Sequence, residues 1–289
     1  MRPAALKTRL FLDGADPAET RQVLDALGFL DGQTTNPSLL AKNPEAQAHR
    51  AEGRKFSQST IDGFYRTVCR TLSDMLPGGS ISIEVYADAT TPAGEMVRQA
   101  REFDTWIPNA HIKLPTTSAG LEAARVLVDE GRRVNMTLVF SQEQAAAVYA
   151  ATAGARRGSV FLSPFIGRLD DRGENGLDLI RNVLALYAPG DGHVEVLTAS
   201  VRTLEHFLSA LALGSDIVTV PAKLLLAWAA AGMPVPTVCP PAPAGLRPIP
   251  RIALSLSRPV RDYAIGHPLT DAGLEKFAAD WNSLIDRAS

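Results

Sequence analysis

Lysine is scarce in this chain and arginine serves as the usual surface cation, yet Lys113 lies inside an apolar, strand-like run, Ile112-Lys113-Leu114-Pro115. Desolvation disfavours an ammonium, and the free amine is the form that attacks a carbonyl to build an imine. The plainer alternative is a lysine at a strand end that reaches out to solvent. Glu84 likewise interrupts an apolar run, Ile83-Glu84-Val85. A carboxylate there needs a partner, a water or a catalytic task to offset its desolvation.

Other polar residues fall at the ends of similar runs. Asp13 precedes Gly14, where it is a turn or helix-capping residue or one of a set of strand-end groups that together form a site. Asn36 precedes Pro37, which is also a common turn signal. Asn135 and Thr137 lie within one further run. Ser163-Pro164-Phe165-Ile166-Gly167-Arg168 and Ser200-Val201-Arg202 each pair a hydroxyl with an arginine, and a phosphate would fit between them. The competing reading of Arg168 and Arg202 is surface ion pairing with Asp170 or Glu205.

To converge, these residues need a scaffold that gathers strand ends. Short apolar or β-branched runs alternate with segments of helical period, as in repeated βα units around a parallel sheet. Eight strands are expected: Thr8–Asp13, Gly32–Asn36, Ser80–Val85, Ala110–Leu114, Val134–Val139, Val160–Ser163, His193–Ala199 and Asp216–Val220. Helices are expected between them, including Ser118–Glu130 and Ser141–Ala153, the latter with Ser141 as N-cap and Gln144 completing a capping box. The fold class is α/β, one (β/α)8 TIM barrel over residues 1–289, whose functional groups gather at the C-terminal strand ends. Two stretches exceed a minimal barrel and read as insertions: the polar segment 42–59 and the Pro-rich segment 232–267, with Pro234, Pro236, Pro240, Pro241 and Pro243. The second is suited to pack over a barrel mouth or a neighbouring subunit.

Composition narrows the chemistry further. At 289 residues and 46% hydrophobic, the chain can bury one large core. A formal charge of −2 supplies no global field for nucleic acid or an anionic membrane, so an anionic ligand must be held by local groups. Cys69 and Cys239 lack metal or disulfide spacing and read as two buried structural thiols. His49, His111, His193, His206 and His267 show no ligand spacing, and no nucleotide fingerprint occurs, so neither metal nor cofactor is expected. The apolar run Leu10–Leu12 is too short for a signal-peptide core, and no stretch approaches the ~20 residues of a membrane span, which reads as a cytoplasmic protein.

The ordered motifs Phe11-Leu12-Asp13, Thr34-Thr35-Asn36-Pro37-Ser38, Ile83-Glu84-Val85, Ile112-Lys113-Leu114-Pro115, Asn135-Met136-Thr137-Leu138-Val139-Phe140, Ser163 to Asp170, Ser200-Val201-Arg202 and His267 to Trp281 cover most of the chain. On these the chain resembles transaldolases, particularly the compact transaldolase and fructose 6-phosphate aldolase group. The resemblance implies an imine between Lys113 and a ketose phosphate, with Asp13 as general base and acid and Glu84 and Thr137 holding a proton-shuttling water. It also implies that Asn36 and Asn135 bind substrate hydroxyls, that Arg168, Arg202 and Ser200 bind phosphate, and that Thr35, Ser163 and Phe165 belong to the same substrate site. Sugar phosphates are the implied partners and a homo-oligomer the implied assembly. Aldolases of the group typically carry tyrosine and glutamine where this chain has Phe165 and Glu84, which points to transfer over cleavage. The alternatives are a fructose 6-phosphate or dihydroxyacetone aldolase, and a non-catalytic sugar-phosphate-binding protein on the same scaffold.

Overall fold

In a computed structural model, which describes residues 1–240 and 245–286, eight parallel strands close into a barrel in sequence order. The elements run β1 (Arg9–Asp13), α1 (Pro17–Leu27), β2 (Gly32–Thr34), α2 (Pro37–Leu40), α3 (Pro44–Ala51), α4 (Gln58–Met75), β3 (Ser80–Glu84), α5 (Ala93–Phe103), β4 (Ala110–Pro115) and α6 (Ser118–Asp129). They continue with β5 (Val134–Val139), α7 (Gln142–Ala151), β6 (Val160–Pro164), α8 (Ile166–Asp170), α9 (Gly176–Tyr187), β7 (Val194–Thr198), α10 (Leu204–Leu213), β8 (Ile217–Val220), α11 (Ala222–Ala230) and α12 (Pro268–Leu284). The chain is therefore the single (β/α)8 barrel that its alternation predicts.

The strands read as continuous apolar runs because helices cover their outer faces while side chains fill the interior. Every residue of β3, β4, β5 and β6 is buried. The floor of the barrel is packed by Phe11 against Phe161, with His111 stacked on Phe161 at 3.9 Å. Burial takes the His111 imidazole down to about 3, so it stays neutral, bonded to Ser80 Oγ at 2.7 Å and to the Gly158 carbonyl at 3.0 Å. Helix starts are set locally: Asp16, Ser57, Thr117, Ser141 and Thr203 each accept a backbone N–H of the first turn. Such caps contribute about 1 kcal/mol apiece.

Several boundaries differ from the sequence reading. β2 stops at Thr34, not Asn36, because Asn36 turns the chain as the N-cap of α2. Thr8, Val85, His193, Ala199 and Asp216 lie just outside their strands. Gln144 does not close the capping box on Ser141. Its Oε1 accepts the Phe140 N–H at 2.8 Å, and its Nε2 donates to the Ile265 carbonyl and Thr270 Oγ1, so it ties α7 to the terminal segment instead. Cys69 is buried, but Cys239 is partly exposed.

The segment 42–59 holds α3 and the entry to α4. Of the Pro-rich stretch, Pro241 and Pro243 lie outside the described residues. The remainder runs largely without helix against the outer helices α7, α9 and α11. Asn182 Nδ2 donates to the Ile249 carbonyl at 2.8 Å and Gln142 Nε2 to the Pro250 carbonyl at 2.9 Å, so two polar side chains of α9 and α7 satisfy a backbone that cannot form a ladder. This strap delivers α12 across the strand ends, where Thr270 Oγ1 donates to the Leu138 carbonyl at 2.9 Å. No helix among the described residues is long and apolar enough to cross a membrane.

Candidate active site

Strand register brings the central charges together. Glu84 is paired with Lys113 across β3 and β4, and Lys113 with Asn135 across β4 and β5, so all three share one level of the barrel. Lys113 is buried, 3% exposed, with Nζ 2.9 Å from Glu84 Oε2 and 3.3 Å from the Thr35 carbonyl. The Glu84 contact is close but poorly aligned for a hydrogen bond, which makes it an ion pair first. Burial pushes the Glu84 carboxyl up, and the Lys113 charge pulls part of that shift back.

Asp13 ends β1 and does not cap α1, a task Asp16 performs. Its Oδ1 accepts from Thr34 Oγ1 at 2.8 Å, and Thr34 in turn lies 2.6 Å from Thr219 Oγ1. Burial raises the Asp13 carboxyl, opposed by Lys113, by the Thr34 hydrogen bond and by Lys42. A raised carboxyl beside an amine suits proton exchange with a bound substrate.

Asp13 and Lys113 face a cavity of about 260 Å³ at the C-terminal strand ends, close to the lower end of the ~300–1,000 Å³ usual for small-molecule pockets. Larger grooves of about 660 and 930 Å³ lie in the helical shell, away from the strand ends. The smaller cavity is where the buried charges converge. Of the residues singled out from sequence, Asp13, Asn36, Lys113, Ser163, Phe165, Arg168, Ser200 and Arg202 line it. Asn36 serves twice: its Oδ1 caps α2 by accepting the Leu39 N–H, while the residue borders the cavity.

Thr35, Glu84, Asn135 and Thr137 stand behind that lining. Thr35 Oγ1 bonds Tyr65 Oη at 2.5 Å and the Ser82 carbonyl at 2.8 Å, which leaves only its backbone carbonyl for Lys113. Asn135 accepts from Ser163 Oγ at 2.7 Å and donates to Ser82 Oγ at 3.0 Å. Thr137 Oγ1 is buried without a hydrogen-bond partner among the described residues. Such a hydroxyl costs roughly 1–3 kcal/mol until something satisfies it.

The two arginines differ. Arg202 pairs with Asp171 at 2.5 Å, where the sequence suggested Asp170 or Glu205; Asp170 instead accepts from His206 Nε2 and the Gly176 N–H. Arg168 has no ion pair or hydrogen bond among the described residues and lies over the rings of Phe165 and Phe277, at 5.3 and 5.4 Å. Burial and the neighbouring Arg202 charge lower its pKa, so an anion between the two guanidiniums relieves both effects.

The loop carrying Ser200 is held in a left-handed conformation, φ 58°, a cost for a residue with a Cβ. Its carbonyl accepts the Gly167 N–H at 3.0 Å, and a Cβ at Gly167 would lie 2.4 Å from that oxygen and 2.7 Å from Arg202 Nε. Gly167→Ala is therefore expected to displace Ser200 and Arg202 together. A titration of inorganic phosphate should show affinity reduced about 10- to 100-fold, the scale of a lost charged hydrogen bond.

Sequence reasoning did not single out Lys42, Lys276, Phe277, Ser38, Thr34 or Thr219 as cavity residues. One signal was available: three of the chain's six lysines line this one cavity. Lys276 and Phe277 arrive on α12, where Lys276 pairs with Asp280 at 2.7 Å and Ser38 donates to the same carboxylate. In the lining itself Lys42, Lys113, Lys276, Arg168 and Arg202 outnumber Asp13, with Glu84, Asp280 and Asp171 paired to Lys113, Lys276 and Arg202.

Comparison with known proteins gives the same ground from outside. The family described as Transaldolase/Fructose-6-phosphate aldolase matches residues 10–288. The chain is 34% identical over 276 residues to a protein named "Probable transaldolase" from Dehalococcoides mccartyi, covering 96% of this chain and 99% of that one. Similarly named proteins of Brucella ovis, 37% identical over 273 residues (94% and 96% covered), and Herpetosiphon aurantiacus, 35% identical over 281 (97% and 98%), match as fully.

Proposed function

Since the chain belongs to the transaldolase/fructose-6-phosphate aldolase family, we propose that it moves a dihydroxyacetone unit from a ketose phosphate, fructose 6-phosphate or sedoheptulose 7-phosphate, to an aldose phosphate of the pentose phosphate pathway through an imine on Lys113. The observation that carries this reading is a buried lysine, 2.9 Å from a buried glutamate, at a cavity whose lining includes two arginines.

The Lys113 amine adds to the C2 carbonyl of the donor, and the carbinolamine loses water to leave a protonated imine. Asp13 takes the proton of the C4 hydroxyl as the C3–C4 bond breaks. Its electron pair moves to the imine nitrogen, the aldose phosphate departs, and a three-carbon enamine stays on the lysine. The enamine carbon then attacks the acceptor aldehyde, Asp13 returns the proton to the new hydroxyl, and water releases the product ketose. Glu84 and the unpartnered Thr137 hydroxyl hold the water that carries protons during imine formation and hydrolysis. Asn36 and Asn135 orient the hydroxyls of the three-carbon unit, with Ser163 fixing the Asn135 amide. Arg168, Arg202 and Ser200 take the phosphate.

Phe165 favours transfer, because a phenyl ring has no proton to give the enamine and leaves it waiting for an aldehyde. Glyceraldehyde 3-phosphate release from fructose 6-phosphate is the test, run with and without erythrose 4-phosphate. Steady turnover only with the acceptor is expected; acceptor-independent turnover would make the protein an aldolase, and silence in both would overturn the reading. Phe165→Tyr is expected to add slow acceptor-independent release, measured as free dihydroxyacetone.

A further inference from the structure

We propose that Tyr65, on the outer helix α4, positions the lysine amine by accepting the Glu84 N–H where β2 has ended. The inference rests on Lys113 as the imine-forming group. β2 stops at Thr34, which is in register with Ser82, whereas β3 runs on to Glu84. The Glu84 N–H donates to Tyr65 Oη at 3.0 Å in place of a strand carbonyl. Thr35 Oγ1 spends its own proton on the Ser82 carbonyl at 2.8 Å, so the 2.5 Å bond between Tyr65 and Thr35 has the phenol as donor. With the Glu84 N–H occupied, the Thr35 carbonyl is available to Lys113 Nζ, at 3.3 Å, while the Glu84 carboxylate meets the same nitrogen at 2.9 Å. One phenol thus fixes both groups that grip the amine.

The ring is buried, set edge-on to Phe103, Trp106 and Trp281, the last of these on α12. Tyr65 does not border the cavity and is a positioning residue, not a catalytic one. Its burial holds the phenol protonated far above the assay range, so its own titration does not enter a pH profile. The charged groups that do act on the amine and its carboxylates are Glu84 from β3, Asp13 from β1, Arg168 from α8 and Lys42 beyond α2.

Tyr65→Phe tests the proposal by steady-state kinetics, pH profile, borohydride trapping with fructose 6-phosphate, and Tm. The expected result is kcat lower by about 10- to 100-fold, the scale of a misplaced reacting group. KM for the phosphorylated donor should hold within about twofold, since the arginines are untouched, and the pH profile should shift. Thr35→Val, which removes the phenol's acceptor, should reproduce the effect and covers the case in which Tyr65→Phe folds poorly; Thr35→Ser, which keeps the hydroxyl, should restore activity. Tyr187→Phe removes another buried phenol hydrogen bond, to the Ala145 carbonyl away from the cavity, and should lower Tm with kcat and pH profile unchanged. A Tyr65→Phe or Thr35→Val enzyme that loses only Tm, or changes KM with kcat and pH profile held, overturns the inference. If the native protein itself traps no adduct on Lys113, the lysine reading falls and takes this inference with it, whereas trapping in the native protein with unaltered variants removes this inference alone.

Discussion

Replacing Lys113 with methionine is expected to abolish transfer, with turnover reduced on the order of 10⁴- to 10⁶-fold, as when a covalent nucleophile is removed. No adduct should be fixed by borohydride, and mass spectrometry of the treated native protein should locate its adduct on Lys113 and no other lysine. Residual transfer near the native rate, or an adduct elsewhere, would sink the imine mechanism. The same variant carries a stability signature that follows from Glu84. Its carboxyl is already raised above its ordinary 4.5 by burial, with Lys113 opposing the shift, so removal of the lysine raises it further. A group whose folded-state pKa is raised favours the fold while protonated. The variant should therefore be most stable below about pH 4.5 and lose stability as pH climbs toward the raised value. At neutral pH the loss should reach up to about 3 kcal/mol, the scale of an orphaned buried charge. Thermal melts from pH 4 to 8 measure it, and Lys113→Met with Glu84→Gln should flatten the pH dependence.

Asp13→Asn separates imine formation from bond cleavage. The variant should still trap a fructose 6-phosphate adduct on Lys113, because the amide leaves the lysine in place, yet release glyceraldehyde 3-phosphate about 10²- to 10⁴-fold more slowly. In the native enzyme burial holds the Asp13 carboxyl above its ordinary 3.8, and the base form is the one that takes the C4 proton. Activity should thus fall with decreasing pH through a value above 3.8, and that acid limb should vanish in the variant. Rapid-quench measurement of trapped adduct against released aldehyde gives both results; loss of trapping along with release would place Asp13 in imine formation instead.

Glu84 and Lys113 illustrate what sequence carries. Each is a charged residue inside a run of residues otherwise buried on both faces of a parallel strand, and that local contradiction is visible without coordinates because charge within an apolar run is costly wherever the run folds. The barrel was legible for a similar reason: strand and helix periods alternate along the chain, and a local cap such as Ser141 marks where a helix begins. The family motifs then pointed to Asp13, Arg168 and Arg202 at one end of the barrel.

Tertiary structure decided where side chains with several possible destinations finish. Thr35 and Asn36 are neighbours, yet one hydroxyl turns outward to Tyr65 while the other residue borders the cavity, an outcome of β2 ending at Thr34. Lys276 and Phe277 reach the site only because the strap of residues 245–267 lays α12 over the strand ends, more than 160 residues from Lys113 in sequence. A Cβ at Gly273 of that helix would come within 2.6 Å of Arg168 Nη1 and Leu138, so a single absent methyl group sets how closely the helix seats. The barrel, the charges of Lys113 and Glu84 within apolar runs and the two arginine loops were readable from local pattern, because period and desolvation cost do not depend on distant partners. The pairing of Glu84 with Lys113 and of Arg202 with Asp171, the place of Arg168 over Phe165 and Phe277, the cations Lys42 and Lys276 in the cavity lining and the hold of Tyr65 on the lysine's neighbours depend on contacts between separate elements, and only the folded chain fixes those.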